Sequence, residues 1–387
     1  MPLFLSVDQS TSATKALLID QTGRIFDRES REHTQHYPLP GFVEHDAEEI
    51  YRNTLAVCEA VLQRCENRDQ VAFLSISNQR ETVVVFDRKT GKPLHRAIVW
   101  QCRRGTEICE KLKAQGAEPE VHQRTGLTLD PYFSASKVHW LIQAHPELAD
   151  KLRSGEAVLG TIDAYLIYRL TNGVVFATDH TNASRTLLYN ISTCTWDPSL
   201  CELWGIPNTA LPEPRSCSDS FGTVAVGGLV HGLEIRGVMG DSHASLFAQR
   251  CFASGTTKLT LGTGSSILMN IGNQPVFSTE GVMTTLAWVH DCQPVYALEG
   301  IIVCAAASLT WLRSQLGIIA NPAEAEAMAT ELAGNDGVYL VPAFSGLGLP
   351  HWSPSAKAVI SGLSNHSDRR HIVRAALEAI AYQIRDA

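Results

Sequence analysis

The chain has 387 residues, of which 44% are hydrophobic and 19% are charged, a balance that is ordinary for a globular protein with a large core. Its length indicates about two or three domains of roughly 150 residues each. The net charge of −8 disfavours nucleic acid and anionic membrane surfaces as main partners. No apolar run approaches the roughly 20 residues of a membrane span and no signal peptide is recognisable, so we expect a cytoplasmic protein without membrane partners.

The first predicted element is a β-hairpin near the N-terminus. Apolar runs at residues 4–7 and 16–19 predict two buried strands, joined by a segment rich in small hydroxyl residues at 8–14. Small side chains leave backbone N–H groups uncovered, and concave rows of such groups bind phosphate. Asp8, at the end of the first strand, can hold Mg²⁺ through water, and Lys15 can reach phosphate oxygens. A polar turn without a ligand explains this stretch equally well on its own.

A polar segment separates the next two predicted strands, at residues 71–76 and 82–86. Within it, Arg80 and Glu81 lie just past a buried strand, in the segment Asn-Gln-Arg-Glu at 78–81. Such a pair is commonly a surface ion pair. The alternative is functional, because an arginine and a glutamate together offer donors and an acceptor to adjacent hydroxyls of a ligand.

Two further candidates stand where a predicted strand ends. Trp100 closes the strand at residues 98–100, at the carboxyl end where open α/β sheets place ligands, although a tryptophan is more often part of a core. Asp241 follows a strand that ends at Gly240 and precedes a helix. An aspartate there is usually a helix N-cap; the alternative is a general base that accepts a proton from an attacking hydroxyl.

The later part of the chain repeats the first motif. Strands at residues 257–261 and 267–270 flank a second small, hydroxyl-rich tip. Two such hairpins suggest an internal duplication, with two related domains facing each other across a cleft. An apolar helix is predicted at residues 301–312, and Ser367 is predicted to cap the last helix. P-loop and dinucleotide-binding fingerprints are absent from the sequence.

The motifs of the chain resemble those of the FGGY carbohydrate kinases, most closely the glycerol kinases. The segments that carry the resemblance are Asp-Gln-Ser-Thr-Ser at 8–12, Asn-Gln-Arg-Glu-Thr at 78–82, Trp-Gln-Cys-Arg-Arg at 100–104 and Gly-Asp at 240–241. The resemblance covers the whole chain with few gaps. It implies an α/β fold of two ribonuclease-H-like domains of the actin/hexokinase type around a cleft, with an N-terminal domain at 1–245 and a partial C-terminal domain at 246–387.

The resemblance implies ATP-dependent phosphorylation of a polyol, in the first place glycerol to sn-glycerol 3-phosphate, with Asp241 as general base and Mg²⁺ held by Asp8. The residues that match polyol-binding positions of the family are Arg80, Glu81, Trp100, Tyr132, Asp241 and Ser242. The residues that match positions on the ATP side are Ser10, Thr11, Ser12, Lys15, Thr263, Gly264, Ala306 and Thr310. Family members often form dimers or tetramers, which leaves a homo-oligomer open for this chain.

Several positions depart from the glycerol kinase pattern. Ser242 stands where those enzymes carry glutamine, and Ser266 stands where they carry an aromatic residue. Both changes shrink the side chain, so the substrate pocket is expected to admit a longer polyol such as a tetritol. Ala306 and Thr310 replace a glycine and a glutamine that line the nucleotide in the family.

The sequence stops at Ala387, before the glycine-rich Asp-Gly-Gly segment and the helix that hold adenosine in the family. We therefore expect the second domain to be incomplete on its adenosine side. Two alternatives to a glycerol kinase stay open. One is a kinase for another polyol or sugar, such as erythritol or xylulose; the other is a truncated chain that holds a polyol without transferring phosphate.

Overall fold

The computed structural model describes residues 1–278, 281–344, 346–353 and 355–387. The chain divides into two units. The first unit comprises Met1–Ala248, Gly272–Phe277 and Thr285–Tyr296, and the second comprises Gln249–Ile271, Ser278–Thr284 and Ala297–Ala387. No described helix combines the length and the apolar character that a membrane crossing requires.

Strands and helices are mixed along the first 248 residues. The strands are β1 (Leu3–Gln9), β2 (Ala13–Asp20), β3 (Ile25–Glu32), β4 (Gln35–His36), β5 (Glu44–His45), β6 (Val71–Asn78), β7 (Val83–Asp87), β8 (Ala97–Ile98), β9 (Ala157–Thr161), β10 (Ala177–Asp179), β11 (Tyr189–Asn190), β12 (Thr195–Trp196), β13 (Glu213–Arg215), β14 (Ser220–Thr223) and β15 (Glu234–Gly240). The α-helices are α1 (Ala47–Arg64), α2 (Thr106–Ala114), α3 (Glu118–Thr125), α4 (Ser134–Ala144), α5 (Pro146–Ser154), α6 (Ile162–Leu170), α7 (His180–Ala183), α8 (Pro198–Trp204) and α9 (Asp241–Ala248). Short 3₁₀ helices span Arg68–Gln70 and Asn208–Ala210.

The main sheet of the first unit has the strand order β14-β15-β6-β1-β2-β3. β1, β6 and β15 are parallel neighbours, whereas β2, β3 and β14 run antiparallel to the strands beside them. Alternate residues of β1 are buried, including Leu5 and Val7, and they share one hydrophobic core with Ile50 and Val57 of α1. Apolar residues at every second strand position and at helical spacing on α1 therefore assemble one sheet face against a helix. Truncating such a fully buried leucine costs about 2–5 kcal/mol.

A second sheet of the first unit carries the turns that hold the candidate residues. Its order is β4-β5-β8-β7-β9, and its pairings are antiparallel. β8 ends at Ile98, two residues before Trp100, so the strand predicted at 98–100 is shorter than expected. The chain turns there because Cys102 donates its backbone N–H to the carbonyl of Val99.

The later chain adds the elements of the second unit. They are β16 (Thr257–Leu261), β17 (Ser265–Gly272), β18 (Met283–His290), β19 (Gln293–Ile302), α10 (Ala307–Ser314), α11 (Pro322–Thr330), β20 (Tyr339–Val341), β21 (Val359–Ser361) and α12 (Arg369–Asp386), and parts of β18 and β19 belong to the first unit. One sheet has the order β16-β17-β19-β18, and β20 pairs antiparallel with β21. Buried residues of α10, α11, β20 and α12 form a separate core.

Two predictions for this region were wrong. The helix expected at 301–312 begins only at Ala307, because the chain through Ile302 belongs to β19. β-Branched residues favour strands, and the apolar run hid the boundary. The last helix is capped by Asp368 rather than Ser367: Asp368 accepts a hydrogen bond from the N–H of Arg370 and forms a capping box with His371.

Candidate active site

The candidate residues of the first unit gather at the carboxyl ends of three adjacent parallel strands. In the strand register, Gln9 of β1 and Gly240 of β15 both pair with Asn78 of β6. Because neighbouring strands lie about 4.8 Å apart, the ends of β1 and β15 are about 10 Å apart. The turns that follow these strands therefore share the edge where α/β sheets place their ligands.

Asp241 begins α9 immediately after β15, as the sequence predicted. Its Oδ1 accepts a hydrogen bond from the N–H of Ser242 at 2.6 Å, and its side chain is 45% exposed. The strand end before it is fixed, because Gly240 donates its N–H to the Thr181 hydroxyl at 2.9 Å. An exposed carboxylate on a fixed backbone can accept a proton from a ligand hydroxyl.

Arg80 and Glu81 occupy a tight turn that directs both side chains into the site. Glu81 has φ +61°, a left-handed conformation that is uncommon for a side chain of this size, and the N–H of Thr82 bonds to the Arg80 carbonyl at 2.6 Å. Nε of Arg80 lies 3.8 Å from Oε1 of Glu81 and 3.6 Å from Oδ1 of Asp241. The guanidinium therefore lies between two carboxylates. Gly240 makes this approach possible, since a Cβ there would stand 2.8 Å from two carbons of the Arg80 side chain.

A second buried arginine holds this turn in place. Nε of Arg185 donates to Oε1 of Glu81 at 2.7 Å, and its guanidinium lies 5.1 Å from the ring centroid of Phe133. The Ser134 hydroxyl donates to the Glu81 carbonyl at 2.7 Å. Two arginines thus face Glu81, which limits the cost of burying its carboxylate, and one of them also lies beside the partly exposed Asp241. The role of Arg185 was not predicted from the sequence; the available signal was an arginine within the otherwise small and apolar segment 183–189.

An aromatic pair borders the turn. The rings of Trp100 and Tyr132 are both half-buried, and their centroids are 5.4 Å apart. Nε1 of Trp100 donates to the Thr11 hydroxyl at 2.9 Å, and its backbone N–H donates to the Thr82 hydroxyl at 3.2 Å. Trp100 therefore joins the aromatic pair to the tip of the first hairpin.

Lys137 of α4 fixes the loop that presents Tyr132. Its ammonium is fully buried and donates to the carbonyls of Tyr132 at 2.6 Å and Phe133 at 3.0 Å, and also to that of Pro131. Burial lowers the pKa of Lys137 to about 8. A lysine beside the buried apolar residues Val138 and Leu141 was the available signal for this role, which was not predicted from the sequence.

The tip of the first hairpin is tighter than predicted, because only residues 10–12 lie between β1 and β2. Ser10 closes it by donating both its N–H and its hydroxyl to the Ala13 carbonyl, each at 2.9 Å. The Ser12 carbonyl accepts from the N–H of His33 at 3.2 Å. Ser10, Thr11 and Ser12 therefore form a short, backbone-braced loop at the same sheet edge as Asp241.

Asp8 is the last residue but one of β1 and is a candidate magnesium ligand. Its carboxylate is 33% exposed, its Oδ2 lies 3.3 Å from Nζ of Lys15, and its Oδ1 accepts from the Ser77 hydroxyl at 3.4 Å. Mg²⁺ is bound in proteins through one or two carboxylates with several water ligands. A partly exposed, positioned carboxylate at the sheet edge fits that requirement.

The candidate residues of the second unit also come together, around the tip of the second hairpin. The carbonyls of Gly262 and Thr263 accept hydrogen bonds from the N–H groups of residues 305–307 at 2.9–3.1 Å. A Cβ at Gly264 would stand 2.7 Å from the Ile302 carbonyl, so only glycine allows this approach. Thr310 lies one helical turn after Ala306 and donates its N–H to the Ala306 carbonyl at 3.1 Å. Thr263, Gly264, Ala306 and Thr310 therefore form one local group.

Comparison with known proteins identifies the family of both units. Residues 3–248 match the N-terminal domain of the FGGY family of carbohydrate kinases, and residues 257–387 match its C-terminal domain. Glycerol kinase 1 of Thermotoga maritima is 47% identical over 383 residues, which cover 99% of this chain and 78% of that protein. The glycerol kinase of Desulfitobacterium hafniense is 45% identical over 384 residues, with the same coverage.

Solved structures agree with this assignment. Glycerol kinase of Plasmodium falciparum, solved with ADP, superposes with a TM-score of 0.92 at 38% identity over 100% of this chain and 78% of that one. A ligand-bound xylulose kinase of Lactobacillus acidophilus, with a TM-score of 0.89 at 22% identity over 100% of this chain and 78% of that one, shares the fold. The α/β fold with two FGGY domains expected from the sequence is confirmed. This protein belongs to the FGGY family of carbohydrate kinases, and it is a phosphotransferase.

Proposed function

We propose that the chain transfers the γ-phosphoryl group of ATP to a terminal hydroxyl of a polyol, in the first place glycerol, giving sn-glycerol 3-phosphate. The observation that carries the proposal is the 3.6 Å approach of Arg80 Nε to the exposed carboxylate of Asp241, at the edge shared by the parallel strands. Curated relatives that are 45–47% identical over 99% of the chain and are named glycerol kinases support this substrate.

In this proposal Asp241 accepts the proton of the terminal hydroxyl of the polyol. The oxygen of that hydroxyl attacks the γ-phosphorus of ATP, and the bond between the γ-phosphorus and the ADP oxygen breaks. Such a general base contributes about 10²- to 10⁴-fold to the rate. Arg80 donates to the substrate, and Glu81, held by Arg185, accepts from a neighbouring hydroxyl. Trp100 and Tyr132 supply an apolar wall for the C–H face of the polyol.

Phosphoryl transfer depends mostly on positioning and on compensation of charge, so the remaining residues are assigned to the phosphates. Ser10, Thr11, Ser12 and Lys15 would contact them from the first hairpin. Thr263, Gly264, Ala306 and Thr310 would contact the nucleotide from the second unit. Asp8 would hold Mg²⁺, which neutralises phosphate charge when it is bound.

The decisive variant is Asp241→Asn, which keeps the shape of the side chain and removes the base. With ATP–Mg²⁺ and glycerol, ADP release should fall by about 10²- to 10⁴-fold. Glycerol binding measured by calorimetry should change little, since the carboxamide cannot accept the proton but still fills the space. Because the native carboxylate is 45% exposed, its ion pair with Arg80 contributes at most about 1 kcal/mol to stability.

The matched control is Asp150→Asn, which neutralises an exposed aspartate of α5. Its turnover should equal that of the unchanged chain. Turnover retained by Asp241→Asn would exclude Asp241 as the base. No ADP release by the unchanged chain together with intact glycerol binding would favour a polyol-binding protein without transferase activity.

Substrate length is the second question, because Ser242 is a short residue beside the proposed base. A panel of glycerol, erythritol and xylulose, compared by kcat/KM, separates the possibilities. Preference for glycerol supports the proposal as stated. A higher kcat/KM for erythritol or xylulose would keep the chemistry and reassign the substrate.

A further inference from the structure

Three potential metal ligands of the second unit converge at the start of α12. They are Asp336, in the turn before β20, His366, in the turn after β21, and His371, in the first turn of the helix. One ligand atom from each lies within 4.8 Å of the other two. This cluster is separate in sequence from every residue assigned above to polyol, ATP or Mg²⁺.

Two of the three separations between the ligand atoms are close to those around a four-coordinate metal. Oδ2 of Asp336 lies 3.2 Å from Nε2 of His371 and 3.8 Å from Nε2 of His366. Zinc bonds of about 2.0–2.1 Å in a tetrahedron place neighbouring ligand atoms about 3.4 Å apart. An ion between these three atoms therefore needs shifts of only a few tenths of an ångström in the two measured separations.

His371 is oriented for this role by a second carboxylate. Its Nδ1 lies 3.1 Å from Oδ1 of Asp368, while Arg370 binds the other oxygen of that carboxylate at 2.7 Å. In the capping box Nδ1 accepts from the backbone N–H of Asp368 at 3.1 Å. An ion at Nε2 requires the other tautomer, in which Nδ1–H donates to Oδ1 of Asp368, the arrangement that metal-bound histidines use. The imidazole is also buried, since His371 is only 1% exposed.

The turns that carry the other two ligands are braced independently of any ion. Asn335 accepts from the N–H of Gly337 at 3.1 Å and donates to Oε2 of Glu378 at 2.9 Å. The turn before α12 is closed by the Ser367 hydroxyl, which accepts from the N–H of Ser364 at 3.0 Å. The backbone of both turns is therefore held by these hydrogen bonds before an ion binds.

The exposure and the chemistry of the three ligands determine which metal ion the cluster can bind. Asp336 and His366 have side chains that are 55% and 81% exposed, so an ion can enter from solvent and keep a fourth position for water. Two imidazoles and a carboxylate are borderline ligands, which favour Zn²⁺ over Mg²⁺ or Ca²⁺. We propose that Asp336, His366 and His371 form a Zn²⁺ site that joins the turn before β20 to the start of α12.

The test titrates Zn²⁺ into the chelator-treated protein and compares His366→Ala and Asp336→Asn with the control His351→Ala, an exposed histidine of the same unit. These variants leave the His371 helix cap intact. All proteins carry Cys292→Ser, which removes the exposed thiol. Calorimetry should show one equivalent bound with micromolar or tighter affinity, a loss of at least tenfold for both ligand variants, and no change for the control.

Two further readouts complete the test. Co²⁺ should give the strong visible absorption of a four-coordinate ion in the control and lose it in both ligand variants. Saturating Zn²⁺ should raise the melting temperature of the control by more than that of either variant. Binding only at millimolar Zn²⁺, or affinity in either ligand variant equal to that of the control, would overturn the proposal and leave the cluster as a helix cap.

Discussion

Asp163 offers a test of how burial sets the stability of the first unit. Its side chain is fully buried, and both carboxylate oxygens accept hydroxyls at 2.6 Å, one from Thr161 and one from Thr178. Burial, reinforced by the carboxylate of Asp179, raises the pKa of Asp163 from 3.8 to about 7. We predict that Asp163→Asn is more stable than the unchanged chain at pH 8.

The sign follows from proton linkage. Between pH 3.8 and about pH 7 the unfolded chain loses the Asp163 proton while the folded chain keeps it. The free energy of unfolding therefore falls by about 1.4 kcal/mol per pH unit, or about 4 kcal/mol over the window. Asparagine is neutral throughout and can accept from one threonine hydroxyl while donating to the other, so it avoids this loss. From pH 5 to pH 8 the stability advantage of the variant should grow by about 3 kcal/mol.

Urea titrations followed by tryptophan fluorescence at pH 5, 6, 7 and 8 measure this difference. Asp150→Asn, at an exposed position of α5, is the control and should track the unchanged chain at every pH. If the free energies of unfolding of Asp163→Asn and the unchanged chain differed by the same amount at all four pH values, the assignment of a raised pKa would be refuted. A variant less stable than the unchanged chain at pH 8 would show that the hydrogen bonds outweigh the cost of burying the charge.

Two smaller perturbations examine the candidate active site. Gly240→Ala places a methyl group 2.8 Å from Cγ and Cδ of Arg80, so we expect the guanidinium to move and kcat/KM for the polyol to fall at least about tenfold; unchanged kinetics would show that Arg80 does not position the substrate. Trp100→Phe removes the hydrogen bond to Thr11 but keeps an aromatic ring. Because Thr11 is assigned to the phosphates, losing about 1 kcal/mol of its positioning should raise the KM for ATP by up to about fivefold. An ATP KM equal to that of the unchanged chain would separate Thr11 from nucleotide binding.

Local signals in the sequence predicted the elements that carry the candidate site. The first hairpin, the strand–Gly240–Asp241–helix junction and the second hairpin depend on short-range patterns of apolar and small residues, and the structure contains all three. The boundary near Ile302 was misplaced because an apolar run suits a buried strand as well as a helix. Arg185 was missed for a different reason, since it binds a residue 104 positions away, where local patterns carry no signal.

Substitutions of Asp241 and of Arg185 should affect turnover and stability differently. The Asp241 side chain is 45% exposed, whereas Arg80, Glu81 and Arg185 are buried and depend on one another for charge balance. Removing Arg185 would leave the Glu81 carboxylate buried without its 2.7 Å donor, a loss that costs about 3–5 kcal/mol in comparable buried pairs. A substitution of Arg185 therefore has to lower stability and turnover together, while Asp241→Asn has to lower turnover alone. If both variants destabilised the chain equally, Asp241 would belong to the buried charge network, and the base would have to be sought elsewhere along the sheet edge.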